Sequence, residues 1–208
     1  MLHLQRSLLS KFLLCVEYAL ISLTGVSLIL FGLIDGAYKI HVLTTTFIVA
    51  AFPVSARLFT SRWKLGDIGF QWKNTKESLL WYGLSAVLGI LGLWLYSYIF
   101  HIPKVIVDNQ TLVYYSVGGS IIQELLYRGY LMRLGRQLFG EGVLNIVVNV
   151  IVFVGMHIFY PEFIQKLWIL IPAGFVFTLL YKKYPNIYLI SMVHILLNGV
   201  AVMLGIFH

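Results

Sequence analysis

Charge is what this chain has least of. Only 11% of its 208 residues are Asp, Glu, Lys or Arg, against 60% hydrophobic, and the mean hydropathy is +0.88. A water-soluble domain carries about one quarter charged residues. That class is excluded, and an all-α polytopic membrane bundle is predicted. Cysteine is almost missing as well: Cys15 stands alone, which rules out a disulfide framework and a cysteine metal cluster. Acidic residues are few, 8 against 15 basic, giving a net charge of +7. Such an excess raises the question of nucleic acid. In so apolar a chain, however, the lysines and arginines are tested first against the membrane-orientation rule, and they satisfy it; no nucleic-acid partner is predicted. Internal repeats, low-complexity tracts and interdomain linkers are absent, so residues 1–208 read as a single membrane-embedded domain. A crossing needs about 20 residues, which leaves room for six to eight helices and no soluble domain.

Seven hydrophobic runs can be marked, at about 12–34, 40–59, 79–100, 112–134, 143–160, 163–181 and 186–206. They are continuous and long, unlike the alternating strands of a membrane barrel. The sixth is short and contains Pro172 and Gly174, which predicts a bent or broken helix packed against protein. Arg6 and Lys11 precede the first run with no small-residue cleavage site close behind, so a retained helix is expected and not a removed signal peptide. With the N-terminus in the cytoplasm, the inner side receives Arg6, Lys11, Arg57, Arg62, Lys64, Lys73, Lys76, Arg133, Arg136, Lys182 and Lys183. The outer side receives only Lys39, Lys104 and Lys166. Adding or deleting one crossing in mid-chain scrambles this asymmetry. The connection from Thr60 to Ser78 holds Trp63, Trp72 and several basic residues, and is expected at the cytoplasmic interface, anchored on anionic lipid. Glu17, near the inner end of the first run, is expected to be offset by Lys11.

Against this background the fourth run is costly. It holds Ser120, Gln123, Glu124, Tyr127 and Arg128. Intramembrane acids and arginines cost several kcal/mol on even lenient insertion scales, about 3 kcal/mol each at the bilayer centre, and mark sites where they face a bundle interior. Glu124 and Arg128, four residues apart, share a helix face and can pair. In the fifth run Asn145, Asn149, Phe153 and His157 follow each other at i+4. In the seventh, His194 and Asn198 repeat that spacing, with Ser191 before them. Three crossings with polar faces predict one water-bearing cavity between them. Counted from the inner ends at 1.5 Å per residue, Glu124 and His194 lie about 13 Å deep and His157 nearer 20 Å.

Three chemistries suit these groups. A carboxylate and an imidazole can polarise water while a second imidazole and an amide donate to an oxyanion, which is a hydrolase pattern. Glu124, His157 and His194 are an acceptable divalent-metal ligand set. The same groups can relay protons in a transporter, although no paired half-structures are evident. A serine or cysteine protease is disfavoured, since no G-x-S-x-G is present and Cys15 lies far from the cluster.

Gln123-Glu124-x-x-x-Arg128, Phe153-x-x-x-His157 and His194-x-x-x-Asn198, in this order on separate runs, resemble the three motifs of a known family. It is the CAAX-protease and bacteriocin-processing (Abi) family of intramembrane endopeptidases, whose eukaryotic members are the type II CAAX prenyl endopeptidases. Its patterns are E-E-x-x-x-R, F-x-x-x-H and H-x-x-x-N. Tyr127-Arg128-Gly129-Tyr130-Leu131, Leu65-Gly66-Asp67-Ile68-Gly69-Phe70 and Pro172-Ala173-Gly174 add similar context, and the motif-bearing core spans about 112–200. The resemblance implies a multi-pass helical protease, in a chain whose size suits a bacterial cell membrane. It acts on a peptide or lipidated protein, with no required cofactor on the favoured reading and a divalent metal as the other option. Carried over, His157 activates water, His194 and Asn198 stabilise the oxyanion, and Arg128 orients the acidic pair. One position departs from the pattern. Gln123 stands where the family has its activating glutamate, and an amide accepts no proton at neutral pH. Either Glu124 takes over the base role with His157, or the protein is a weak or inactive relative acting as a membrane interaction or bacteriocin-immunity factor.

Overall fold

The computed structural model describes residues 9–23, 51–60, 63–72, 75–104, 106 and 109–207. Every regular element among them is helical: α1 (9–23), α2 (51–60), α3 (Thr75–Ile99), α4 (109–139), α5 (Val143–Gly155), α6 (Phe163–Lys183) and α7 (Ile187–Met203). These seven segments fall on the seven hydrophobic runs. Residues 24–34 of the first run, 40–50 of the second, and Arg6, Lys39, Arg62 and Lys73 from the charge tally lie outside the described residues. Among the described residues two helices are long and apolar enough to cross a membrane, Lys76–Ile99 at mean hydropathy 1.7 and Phe163–Lys183 at 1.8; α5 and α7 are apolar but shorter.

Two boundaries differ from expectation. The fifth run does not stay helical to 160: α5 ends at Gly155, and His157 sits in the turns that follow. Apolar residues continue past the stop, so hydropathy alone does not register it. The sixth run is neither short nor broken, since α6 runs 21 residues through Pro172. A proline removes one hydrogen bond and crowds the preceding turn. Pro172 is exposed on the outer side of its helix, and the buried face beside it is held by Gly174, Phe177 and Thr178.

The 31 residues of α4 form the axis of the bundle, about 45 Å long. All its internal junctions keep right-handed helical dihedrals, but Tyr114–Gly119 and Glu124–Leu131 widen to π hydrogen bonding, with Met132 N–H donating to the Tyr127 carbonyl. Side chains of α5 fill the loosened ladder. Asn149 Nδ2 donates to Tyr127 O at 2.7 Å and Asn145 Nδ2 to Met132 O at 3.3 Å, while Thr178 Oγ1 donates to Asn149 Oδ1 at 3.1 Å. The predicted amide stripe therefore bonds to backbone and to Thr178; such widened turns frequently accompany functional sites.

Ahead of α3, the turn Leu65–Ile68 presses Ile68 into the core against Gly129, where an added Cβ would meet the Ile68 carbonyl at 3.1 Å. Gly69 follows in the left-handed region at φ 87°, and its carbonyl accepts the Ile187 N–H at 2.9 Å, tying the loop to the start of α7. Asn186 caps α7 by accepting the Leu189 N–H at 3.1 Å. Glu17 is paired with Arg57 and with the Tyr130 hydroxyl, not with Lys11. Trp63 is buried rather than anchored at a surface: it packs on Tyr130 at 5.4 Å between the guanidiniums of Arg57 and Arg133. Trp72 stays exposed, stacked on Tyr188 at 4.8 Å.

Gly69→Ala must hold a Cβ at positive φ against the Tyr181 side chain. It is expected to cost about 1–3 kcal/mol, read as a lower unfolding midpoint in detergent. Gly66→Ala, with no heavy atom within 4 Å of its added Cβ, leaves the midpoint unchanged.

Candidate active site

Glu124 and Arg128 are both fully buried, one turn apart on the widened part of α4. Their Oε2–Nε separation of 3.5 Å is long for a charge-assisted hydrogen bond, which closes to 2.7–2.9 Å. The pair attracts by charge without a tight bond. The other carboxylate oxygen is engaged more strongly: Oε1 meets His194 Nδ1 at 2.6 Å, with His194 itself buried. This contact joins α4 to α7. One turn away in the opposite sense along each helix, Asn198 Nδ2 donates to Ser120 Oγ at 3.0 Å. Ser120 with Asn198 and Glu124 with His194 are thus successive rungs of one antiparallel helix pair.

Arg128 is held from its other side by α5 and α6. Its guanidinium lies 4.2 Å from the Phe153 ring centre and 5.6 Å from that of Phe177, and Nη2 reaches the Gly174 carbonyl at 3.5 Å. Glycine at 174 is what lets α6 come this close, since a Cβ there would stand 3.2 Å from both Phe153 and Val150. Desolvated cation–π contacts of this kind are worth about 2 kcal/mol.

His157 reaches the cluster through Phe153. Its Nδ1 lies 2.9 Å from the Phe153 carbonyl, an acceptor only, so Nδ1 carries the proton and Nε2 keeps its lone pair. Phe153 packs edge-on against both imidazoles, at 5.1 Å from His157 and 6.1 Å from His194. No direct hydrogen bond joins His157 to Glu124 or His194 among the contacts described. Gln123 adjoins Glu124 with its Oε1 buried and without a hydrogen-bond partner.

The predicted residues are therefore brought together unevenly. Glu124, Arg128 and His194 are in direct contact, Asn198 stands one rung away beside Ser120, and His157 lies across the Phe153 ring. Both imidazoles use Nδ1 for a hydrogen bond, His194 to the Glu124 carboxylate and His157 to its own backbone, which leaves Nε2 as the atom either ring could offer a metal. Among the described residues no group of three or more His, Cys, Asp or Glu is placed to hold a metal ion.

Sequence reading missed several neighbours. Phe177, three residues after Gly174, lies 5.1 Å from the His194 ring as well as against Arg128. Tyr160 stacks on His157 at 5.7 Å, and Lys166, counted only as an outer-side charge, is buried with its ammonium 5.9 Å from the Tyr160 ring. Lys166 Nζ donates to Pro161 O at 2.5 Å and pairs with Glu162 at 3.3 Å. The available signal was a lysine set at the head of an apolar run.

Residues 106–200 match the family model described as type II CAAX prenyl endopeptidase Rce1-like. Over this segment the chain is similar to that family. The match covers just under half of the sequence, begins ahead of α4, ends within α7, and contains all three motifs. No curated protein and no solved structure matches the chain. The Rce1-like segment is thus the one that supplies every group meeting at Arg128, since Glu124, Phe153, Gly174, Phe177 and His194 all lie inside it.

Arg128→Met leaves Glu124 buried beside His194 without its cation. It is expected to cost about 3–5 kcal/mol, measured as a fall in unfolding free energy in detergent. In the double variant Glu124→Gln, Arg128→Met, the loss is smaller than the sum of the two single losses.

Proposed function

We propose that this protein is a membrane endopeptidase of the CAAX-protease type, multi-pass, with its N-terminus in the cytoplasm of a bacterial cell. Its substrate is a peptide or a lipidated protein held at the membrane. The observation that carries the reading is the Glu124–His194 contact at 2.6 Å, made between two separate helices beside a buried arginine and inside the Rce1-like segment.

One carboxylate oxygen of Glu124 is bonded to His194 and the other faces Arg128 without a hydrogen bond; in this scheme Glu124 acts through His194, and proton removal from water falls to His157. An ionised Glu124 holds the proton of His194 on Nδ1 and fixes the ring, as an orienting carboxylate does in other hydrolases. His157, with Nδ1–H committed to the Phe153 carbonyl, offers Nε2 as the base that removes a proton from the attacking water. As an imidazolium with a proton on each nitrogen, His194 donates from Nε2 to the oxyanion, and Asn198 offers the second hydrogen of Nδ2 to the same charge. His157 then returns its proton to the leaving amine. Gln123 contributes a hydrogen bond through its amide and no proton transfer.

Purified full-length protein in detergent is expected to cleave a lipidated peptide. Glu124→Ala and His157→Ala are each expected to lower kcat/KM by about 10²–10⁴-fold. Full activity in both variants overturns the assignment. Gln123→Glu reports on the departure at that position: unchanged cleavage fits the scheme above, whereas cleavage appearing only in that variant means the native chain binds its partner without cutting it.

A further inference from the structure

A second polar site lies away from the Glu124 cluster, where the C-terminal end of α4 meets the start of α5 and the end of α6. A cavity of about 270 Å³ opens there, bordered by Arg133, Arg136, Lys182, Asn145 and Tyr181. The reaction scheme uses none of these groups. Their charges are only partly answered. Arg133 stands 3.6 Å from Asp67 and Arg136 3.7 Å from Glu141, both loose and half-exposed, and Lys182 Nζ donates to the Glu141 backbone carbonyl at 2.7 Å. Three cations thus face two carboxylates. Four buried polar atoms around the cavity have no hydrogen-bond partner: Arg133 Nε, Arg136 Nε, Asn145 Oδ1 and Tyr181 Oη. Asn145 and Tyr181 are 3% and 4% exposed. Buried polar atoms left unpaired are uncommon, and several around one space point to a group that belongs in it.

We propose that this cavity binds a phosphate group, supplied by the headgroup of an anionic phospholipid. Two guanidiniums can each present a pair of N–H donors to phosphate oxygens, a geometry that a point charge does not provide. The first turn of α5, capped by Gly142 without a side-chain bond, adds free backbone N–H groups at the same rim. Tyr181 Oη and Asn145 Oδ1 pack against Gly69 and Gly135 at the wall of the cavity, so the anion is held by the guanidiniums and the Lys182 ammonium. Volume supports a small polar group, because the space falls just below the range of drug-sized sites. Position supports a lipid. Gln71 borders the cavity and Trp72 beside it is exposed and stacked on Tyr188, as aromatic residues are at headgroup level.

The test uses the full chain in nanodiscs of phosphatidylcholine with or without phosphatidylglycerol, followed by native mass spectrometry of retained lipid. A parallel titration with inorganic phosphate is done in detergent. Wild type is expected to retain phosphatidylglycerol over phosphatidylcholine. Lys182→Gln and Arg136→Gln are each expected to weaken that retention about fivefold, the size of one cation's attraction to an anionic headgroup. Lys183→Gln removes the same charge from a position outside the cavity and is expected to change nothing. Unfolding midpoints matching wild type keep the comparison on folded protein. Equal retention of both lipids, or a Lys183→Gln effect as large as that of Lys182→Gln, overturns the proposal in favour of diffuse surface attraction. Inorganic phosphate binding that is lost in Arg136→Gln without any lipid preference overturns the lipid source and assigns the same cavity to a soluble phosphate.

Discussion

A guanidinium with no access to water, Arg128, is the constraint around which the rest is arranged. Burying it alone is prohibitive, and its attraction to Glu124 at 3.5 Å is too loose to compensate by itself. The remaining support is distributed over three helices: the Phe153 face from α5, the Gly174 carbonyl and Phe177 from α6, and, through Glu124, His194 from α7. Each supporting residue has the type its task requires. An aromatic ring offers negative charge without needing hydrogen bonds. A glycine allows a helix carbonyl to approach, and an imidazole can bond a carboxylate on one side while leaving its other nitrogen for chemistry.

Around this centre, α4 is specified twice over. Toward α7 it presents Ser120 and Glu124 to Asn198 and His194, so the two helices share a single axial register. Toward α5 it presents backbone, since Asn149 and Asn145 donate to the Tyr127 and Met132 carbonyls. The two functions are coupled through one helix. The amides hold the loosened ladder in place, and the loosened ladder sets where Glu124 and Arg128 point.

Much of this was legible in the letters. Seven apolar runs correspond to the seven helical segments, and i+4 spacing placed Glu124 with Arg128 and His194 with Asn198 on common faces. What escaped had identifiable causes. The end of α5 at Gly155 is hidden because Met156, Ile158 and Phe159 prolong the apolar signal beyond the last helical bond. Pro172 reads as a break, yet α6 continues through it, its cost of about 3 kcal/mol offset by the packing of Leu170, Gly174, Phe177 and Thr178 on the buried face. The acceptors for Asn145 and Asn149 are main-chain carbonyls, and no residue type announces those. Arg57 as the partner of Glu17 is a contact across forty residues of chain, whereas Lys11 was near in sequence only. The roles within the site, finally, depend on which atom of each side chain is already engaged, and spacing carries no such information.

The widened turn in Glu124–Leu131 also has an evolutionary aspect. A π segment is geometrically an α-helix that has accommodated one additional residue. Losing a single residue there would restore ordinary pitch and leave the downstream helix near its present phase, whereas the same loss from a regular turn of α4 rotates everything beyond it by about 100°. Within α4, the azimuth of Arg133 and Arg136 relative to Glu124 should therefore survive a one-residue deletion in this stretch better than one in the regular turns beside it.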